Sequence, residues 1–156
     1  MKTNIGIVDT NSLSVAKQLS KILADEYVLF TKTKNAHWNV EGADFYDKHK
    51  FFETQFRQLD DIIDSVAERI RTIGHYAPAT LSSFLNLTEF TEKNSEKNDS
   101  KAFIKELLMD HESMIIKFRE NINRFAEKYK DIGTSDFITG LMQEHEKMAW
   151  LLRAHL

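Results

Sequence analysis

Two histidines and a glutamate lie close together in the stretch HWNVEGADFYDKHKFFE, residues 37–53. His37 and His49 stand on either side of a glycine, and Glu53 comes one helical turn after His49. Imidazole and carboxylate groups are ligands for iron, zinc and related divalent metals. The chain has no cysteine, which excludes disulfides, thiolate metal sites and thiol nucleophiles. The stretch therefore predicts a metal site built from nitrogen and oxygen ligands.

Further carboxylates extend this set along the helix that the pattern predicts after the glycine. At about 100° per residue they fall on one stripe, which runs beside the apolar stripe rather than within it. A stripe in that position does not point into a bundle core, so it would face a neighbouring molecule. It consists of His49, Glu53, Asp60, Asp64 and Glu68.

One straight helix cannot bring both ends of this stripe to a single ion. His49 and Asp64 are fifteen residues apart, which is roughly 22 Å along the helix axis, whereas metal bonds to nitrogen and oxygen are about 2 Å long. Two antiparallel copies related by a two-fold axis would place the histidine end of one chain against the carboxylate end of the other. The alternative is a solvated helix face whose carboxylates pair with Arg57 and Arg71.

Four long amphipathic helices must position these residues. Apolar side chains recur every three or four positions along each of them, and no strand-like alternation competes. The chain has only five glycines and one proline, which favours long helices. The pattern predicts helices from 13 to about 40 and from about 44 to 73, a short helix at 79–90, a polar connector at 91–100, a third long helix carrying Ile104 to Phe125, and a fourth carrying Ile138 to Leu152.

Turn and capping residues set the expected ends of these helices. The segment DTNS offers capping side chains before the first helix, and Gly42 ends that helix. Gly74 and the one proline end the second helix. Gly133 breaks the chain before the fourth helix, which Thr134 or Ser135 would cap.

A long connection between the second and third helices is typical of a ferritin-like bundle. We therefore expect an all-α fold, a ferritin-like four-helix bundle with a short extra helix in that connection. The chain, 1–156, is expected to form a single domain with residues 1–12 as a short N-terminal extension. No apolar run approaches the roughly 18 residues of a membrane span, and no signal-peptide core is evident, so we expect a cytoplasmic protein without membrane contact.

Two further histidines, His111 and His145, lie on the apolar stripes of the third and fourth helices. Ferritin-like bundles often hold two irons in their core through Glu-x-x-His pairs. None of the six histidines follows a glutamate at that spacing. We therefore expect these two to be buried, hydrogen-bonded histidines and not metal ligands.

Three segments together resemble the Dps family, the mini-ferritins named as DNA-binding proteins from starved cells. They are KTKNAHWNVEGADFYDKHKFFE, DDIIDSVAERIRTIG and the C-terminal EHEKMAWLLRAHL. The resemblance covers nearly the whole chain. It implies a hollow homo-oligomer, a dodecamer of two-fold dimers, that oxidises Fe(II) with hydrogen peroxide or oxygen. The ferric iron is stored inside, which protects against oxidative damage.

The resemblance also implies which residues bind iron. Matched motif by motif, His37 and His49 come from one subunit, and Asp64 and Glu68 come from the partner subunit. The family often has an aspartate one turn after the second histidine, where this chain has Glu53. This glutamate keeps the charge on a longer side chain and completes the expected ligand set.

Three other residues match family positions with roles near the iron. Trp38 resembles the tryptophan beside the iron site, which implies electron donation or radical quenching; packing at an interface is an equal alternative. Asp131 and Asp136 resemble acidic residues lining the three-fold pores through which iron enters. They could equally cap the fourth helix or complement its dipole.

DNA binding is the alternative function that the family name suggests. Family members often use a flexible tail rich in lysine and arginine, because phosphate neutralisation supplies most non-specific affinity. Residues 1–12 hold one basic residue, Lys2, and one acidic residue, Asp9, and the sequence given ends with the fourth helix. The net charge is −3. We therefore expect little DNA binding.

Overall fold

The computed structural model describes residues 3–92 and 97–156, which fold into helices and loops and contain no β-strand. Four long helices form a bundle, and a short fifth lies in the connection between the second and third of them, which confirms the predicted ferritin-like architecture. The helices are α1 (Asp9–Asn39), α2 (Phe45–Thr72), α3 (Leu81–Leu87), α4 (Ser100–Asn123), which continues into a π-helical turn (Arg124–Lys128), and α5 (Ile132–Arg153).

The core lies where the apolar stripes of the four long helices meet. α1 packs mainly along α2, and α4 mainly along α5. Burial of each large apolar side chain contributes roughly 1.5–3 kcal/mol, so this core is the main source of stability. Its largest fully buried members are Phe52, Phe118, Phe125, Leu19, Ile22, Leu23, Leu29, Leu59, Ile70, Ile73, Ile104 and Met114. None of the helices in the described ranges is long and apolar enough to cross a membrane.

Two predicted glycine breaks bound α2. Gly42 has a φ of 126° and Gly74 a φ of 97°, values that favour glycine. Gly74 also has a packing role, because a Cβ atom there would lie 1.9 Å from the hydroxyl oxygen of Thr3. The N-terminal segment therefore crosses closely over the end of α2.

The first helix begins four residues earlier than expected. Its N-cap is Val8, which makes no side-chain capping bond, so the DTNS segment is helical and does not cap α1. The hydroxyls of Ser12 and Ser14 instead donate to the backbone carbonyls of Asp9 and Thr10 within the helix. The extension predicted at 1–12 is thus shortened to residues before 9, of which 1 and 2 lie outside the described ranges. Residues 93–96 of the predicted connector also lie outside them.

The break before α5 differs from the predicted one. The chain turns at Lys130, whose φ is 56°, and Gly133 lies inside the helix. The N-cap is Asp131, not Thr134 or Ser135. Its carboxylate accepts hydrogen bonds from the backbone N–H of Thr134 at 2.9 Å and from the Thr134 hydroxyl at 2.5 Å.

Arg69 of α2 contacts the N-cap residue Asp131 and also accounts for the glycine at position 133. Its guanidinium donates to Asp131 at 3.3 Å and to the Thr134 hydroxyl at 2.9 Å. A Cβ at Gly133 would lie 2.9 Å from the Arg69 Nη2 atom, so this glycine leaves room for the guanidinium. The start of α5 is therefore tied to α2 by one buried carboxylate.

Replacement of Asp131 by alanine should destabilise the fold. It removes an N-cap and leaves Arg69 without its carboxylate, so we expect the free energy of unfolding to fall by about 2 kcal/mol. The measurement is urea unfolding followed by circular dichroism. Asp136→Ala is the matched control, because Asp136 is exposed on the same helix, and it should change stability by no more than about 0.5 kcal/mol. Equal losses in the two variants would contradict this role of Asp131.

Candidate metal centre

His37 and His49 form a reciprocal pair across the α1–α2 turn. The Nδ1 atom of His37 lies 2.8 Å from the backbone carbonyl oxygen of His49, and the Nδ1 atom of His49 lies 2.8 Å from that of His37. A carbonyl oxygen only accepts, so each Nδ1 atom must carry the hydrogen. In the neutral rings each Nε2 atom is therefore left with a free lone pair, the form in which imidazole binds metals.

Packing fixes the planes of the two imidazole rings. They stack with centroids 3.8 Å apart and an interplanar angle of 23°. Phe56 lies edge-on to His37 at 5.2 Å, and Phe45 lies beside His49 at 5.3 Å. The carbonyl of His37 is in the last turn of α1, where helical carbonyls lack helical partners, so its bond from His49 also closes the helix end. These contacts orient both rings without a bound ligand.

Glu53 lies one turn after His49 and is engaged within its own helix. Its carboxylate accepts from Arg57 Nη2 at 2.7 Å and from Lys50 Nζ at 2.9 Å. Arg57 first, and Lys50 second, lower the pKa of this carboxyl from 4.5 to about 2. Both cations are largely exposed, so the carboxylate is anionic but would have to leave them to bind a metal.

The other predicted ligands lie farther along α2. Asp64 and Glu68 are exposed and are not brought to the histidine pair within one chain. Among the residues that the structure describes, no group of three or more His, Asp or Glu side chains could hold a metal ion. A single chain thus brings only the two histidines together, leaves Glu53 in its ion pairs with Arg57 and Lys50, and keeps the carboxylate end of the stripe apart, as a site divided between chains would require.

The alternative prediction, a solvated stripe paired with Arg57 and Arg71, holds for only one of these two arginines. Arg57 does pair with Glu53. Arg71 instead donates to the backbone carbonyl of His75 at 3.1 Å and lies over the ring of Tyr76 at 4.3 Å.

Exposed aromatic side chains surround the histidine pair. Trp38 is 66% exposed, and Phe45 and Tyr46 are 45% and 67% exposed. The ammonium group of Lys34 lies 5.5 Å from the Trp38 ring and 4.8 Å from the Phe56 ring. Large exposed apolar side chains grouped in this way mark protein–protein contact surfaces. Trp38 is therefore placed where an interface would cover it, and its redox role stays a prediction.

The two predicted pore residues have different environments. Asp131 is buried, and its carboxylate accepts hydrogen bonds from Thr134 and Arg69. The capping alternative therefore describes Asp131. Asp136 is exposed, and its pore role stays a prediction.

The core histidines are placed as predicted, with one partner that the sequence patterns did not reveal. His111 and His145 are fully buried, with their Nδ1 atoms 3.0 Å apart. Glu26 is also fully buried, with Oε1 3.0 Å from His145 Nε2. It follows Ile22 by four positions and precedes Leu29 by three, so its place on the α1 apolar stripe was the available signal.

Comparisons with known proteins identify the family. The family model for the ferritin-like domain matches residues 16–156. The DNA protection during starvation protein of Helicobacter pylori is 37% identical over 138 residues, which is 88% of this chain and 95% of that protein. This chain belongs to the Dps family of ferritin-like proteins.

Two further proteins match almost the whole length of this chain. A low temperature-induced protein of Nostoc is 37% identical over 155 residues, which is 99% of this chain and 87% of the relative. The crystal structure of a Dps protein from Vibrio cholerae superposes with a TM-score of 0.90 at 29% identity, and covers 99% of this chain and 96% of that one. That protein is described as a member of a broad superfamily of ferritin-like diiron-carboxylate proteins. The predicted family and fold are thus confirmed.

Arg57→Ala should raise the pKa of Glu53 from about 2 toward its ordinary value of 4.5, because Arg57 is the larger of the two causes. A depressed carboxyl pKa gives stability that is present above pH 4.5 and is lost as the pH falls toward 2. Infrared difference spectra between each protein and its Glu53→Gln counterpart, recorded from pH 6 to 3, follow this one carboxyl. The control is Arg71→Ala, which removes a cation that does not contact Glu53. A protonated band at the same pH in all three proteins would refute the assignment.

Proposed function

We propose that this Dps protein oxidises Fe(II) at sites shared by two-fold-related subunits and stores the ferric product inside a hollow dodecamer. The histidine pair is the observation that carries the proposal. Two oriented imidazoles with free Nε2 lone pairs lie at the start of α2, among exposed aromatic rings, while the matching carboxylates lie toward its other end. Antiparallel pairing of two α2 helices joins these halves and covers the rings.

In this proposal iron is the substrate. His37 and His49 supply neutral nitrogen ligands, and the partner's Asp64 and the partner's Glu68 supply charge-neutralising oxygen ligands. This donor set suits iron and lacks the thiolates that favour zinc or iron–sulfur clusters. Glu53 is available as a further oxygen ligand once it leaves Arg57 and Lys50. A site with so few protein ligands keeps coordination positions open for the oxidant.

Hydrogen peroxide is the oxidant that we favour, with oxygen as the alternative. Two Fe(II) ions each give up one electron, and peroxide takes both electrons and two protons to form two waters. No oxygen radical is released in that stoichiometry, which would explain protection from oxidative damage. The diiron-carboxylate description of the Vibrio relative supports iron chemistry in this family.

Single substitutions of the proposed ligands should slow Fe(II) oxidation. We expect His49→Ala and Glu68→Ala each to reduce the initial rate roughly tenfold or more, in line with the usual loss on disturbing a metal site. The rate is followed by ferric absorbance after anaerobic Fe(II) loading and peroxide addition. Asp61→Ala, an exposed carboxylate on the same helix, should oxidise iron at the parental rate. Parental rates in the His49 and Glu68 variants would overturn the ligand assignment.

Mixed assemblies test whether each site is divided between chains. One variant lacks His37 and His49, and the other lacks Asp64 and Glu68. Each alone should be inactive, but in a dimer that contains one of each, one of the two sites has all its ligands. Co-refolded mixtures should therefore regain part of the activity, and light scattering should give a mass near twelve chains. No recovery in mixed particles of that mass would refute the divided site.

A further inference from the structure

Six ionisable side chains are buried within the described ranges, and half of them have a partner of permanent charge. Asp25 pairs with Lys117, Asp131 pairs with Arg69, and Lys32 pairs with Asp110 and Glu106. Among the described residues, the polar contacts of the remaining three are with one another only. The buried set is Asp25, Glu26, Lys32, His111, Asp131 and His145.

Glu26, His145 and His111 form a chain of contacts through the middle of the bundle. Glu26 comes from α1, His145 from α5 and His111 from α4, and each lies near the middle of its helix. Glu26 Oε1 is 3.0 Å from His145 Nε2, and the two Nδ1 atoms are 3.0 Å apart. At the two ends, Glu26 Oε2 and His111 Nε2 are buried without a hydrogen-bond partner among the described residues.

The contact between the two Nδ1 atoms allows only one of them to carry a hydrogen. One ring must donate and the other must accept, so at least one imidazole has to be neutral. If both rings were imidazolium ions, two N–H groups would face each other at 3.0 Å with no acceptor between them. A second buried positive charge would also lack compensation, which is strongly unfavourable away from water.

Among the described residues, the buried side chains of the surrounding helices offer no unpaired charge that could compensate it. The buried residues of α2 are apolar except Gln55, and α3 contributes only Phe84. The buried charged residues of α1 besides Glu26 are Asp25 and Lys32, which are already paired. On α4 and α5 the other buried polar residues are Asn121, Thr134 and Ser135, which carry no charge.

We propose that Glu26, His145 and His111 form an acid-sensitive latch, which holds α1, α4 and α5 together while one of the facing imidazoles is neutral and opens when both are protonated. Acid would then loosen the bundle from its centre, between α4 and α5. This role is independent of iron and of the proposed ferroxidase site, because none of the three residues belongs to that site.

Burial, and after it the charge of His145, hold the pKa of His111 well below 6.5. The unfolded chain therefore takes up this proton near pH 6.5, and the folded chain takes it up only at lower pH. The corresponding stability is present above pH 6.5 and is lost as the pH falls toward the folded pKa. One such proton changes the unfolding equilibrium constant about tenfold per pH unit.

The test compares the pH dependence of unfolding in iron-free protein. Urea midpoints of the parent and of His111→Gln are measured at pH 7, 6 and 5 and at one protein concentration. Glutamine can still donate to His145 but does not titrate. For each unit that the pH falls below 6, the unfolding equilibrium constant of the parent should therefore rise about tenfold more than that of His111→Gln. His155→Gln is the control, because His155 is exposed, and it should keep the parental slope. Equal slopes in the parent and His111→Gln would overturn the latch.

Hydrogen exchange gives an answer even if His111→Gln does not fold. Amide exchange of the parent is measured by mass spectrometry at pH 7 and 5 and corrected for the intrinsic pH dependence. Peptides around His111 and His145 should lose protection at least tenfold at pH 5, relative to peptides from the middle of α2. Protection that changes equally in all three regions would overturn the proposal.

Discussion

The paired hydrogen bonds between His37 and His49 are the interaction on which the rest of the site depends. Each imidazole donates to the other residue's backbone carbonyl, so these two hydrogen bonds close the α1–α2 turn, cap the end of α1 and select one tautomer in both rings. Each side chain therefore holds the turn and also prepares a nitrogen for metal binding. Because each ring bonds to the backbone of the other residue, loss of one ring would also affect the position of the other.

The buried carboxylates of this protein have two kinds of partner. Where a carboxylate ties elements together permanently, its partner is an arginine or a lysine, as with Asp131 and Arg69 or Asp25 and Lys117. Glu26 has histidine as its partner instead. An arginine or lysine partner keeps its charge across the physiological range, whereas a histidine partner can be neutral or charged. Both kinds of link occur side by side in the interior, because Asp25 and Glu26 are neighbours on α1.

Helix periodicity and glycine placement were sufficient to predict the fold. The apolar stripes gave the four long helices, and the break at Gly42 correctly placed His37 next to His49, because a short turn returns the chain along itself. Helix ends were less predictable. Ser12 and Thr134 have side chains suited to capping, but the first bonds back into its helix and the second donates to Asp131. Which of several polar neighbours becomes the cap depends on tertiary partners such as Arg69, and residue type alone does not encode them.

The candidate site was predictable in its membership but not in its state. Residue types, spacing and the family resemblance predict the ligands, whereas the tautomer of the histidines depends on backbone carbonyls, which every residue has. Glu26 was missed for a related reason: a single polar residue on an apolar stripe is weak evidence until its neighbours on other helices are known. The length of α2 was informative because it separates His49 from Asp64 by too great a distance for both to bind one ion within one chain. Composition alone does not exclude that arrangement.

The ion pairs of Glu53 with Lys50 and Arg57 also affect the charge of the surface through which subunits would pair. Residues 50–57 of α2 carry two cations and one anion, a net charge of +1, whereas residues 64–68 carry Asp64 and Glu68, a net charge of −2. In an antiparallel pair of α2 helices the positive turn of each chain meets the negative turn of the other. Complementary patches of this kind accelerate encounter and set the register of docking. If subunits pair as proposed, salt would slow their pairing at concentrations that leave the fold of each one unchanged.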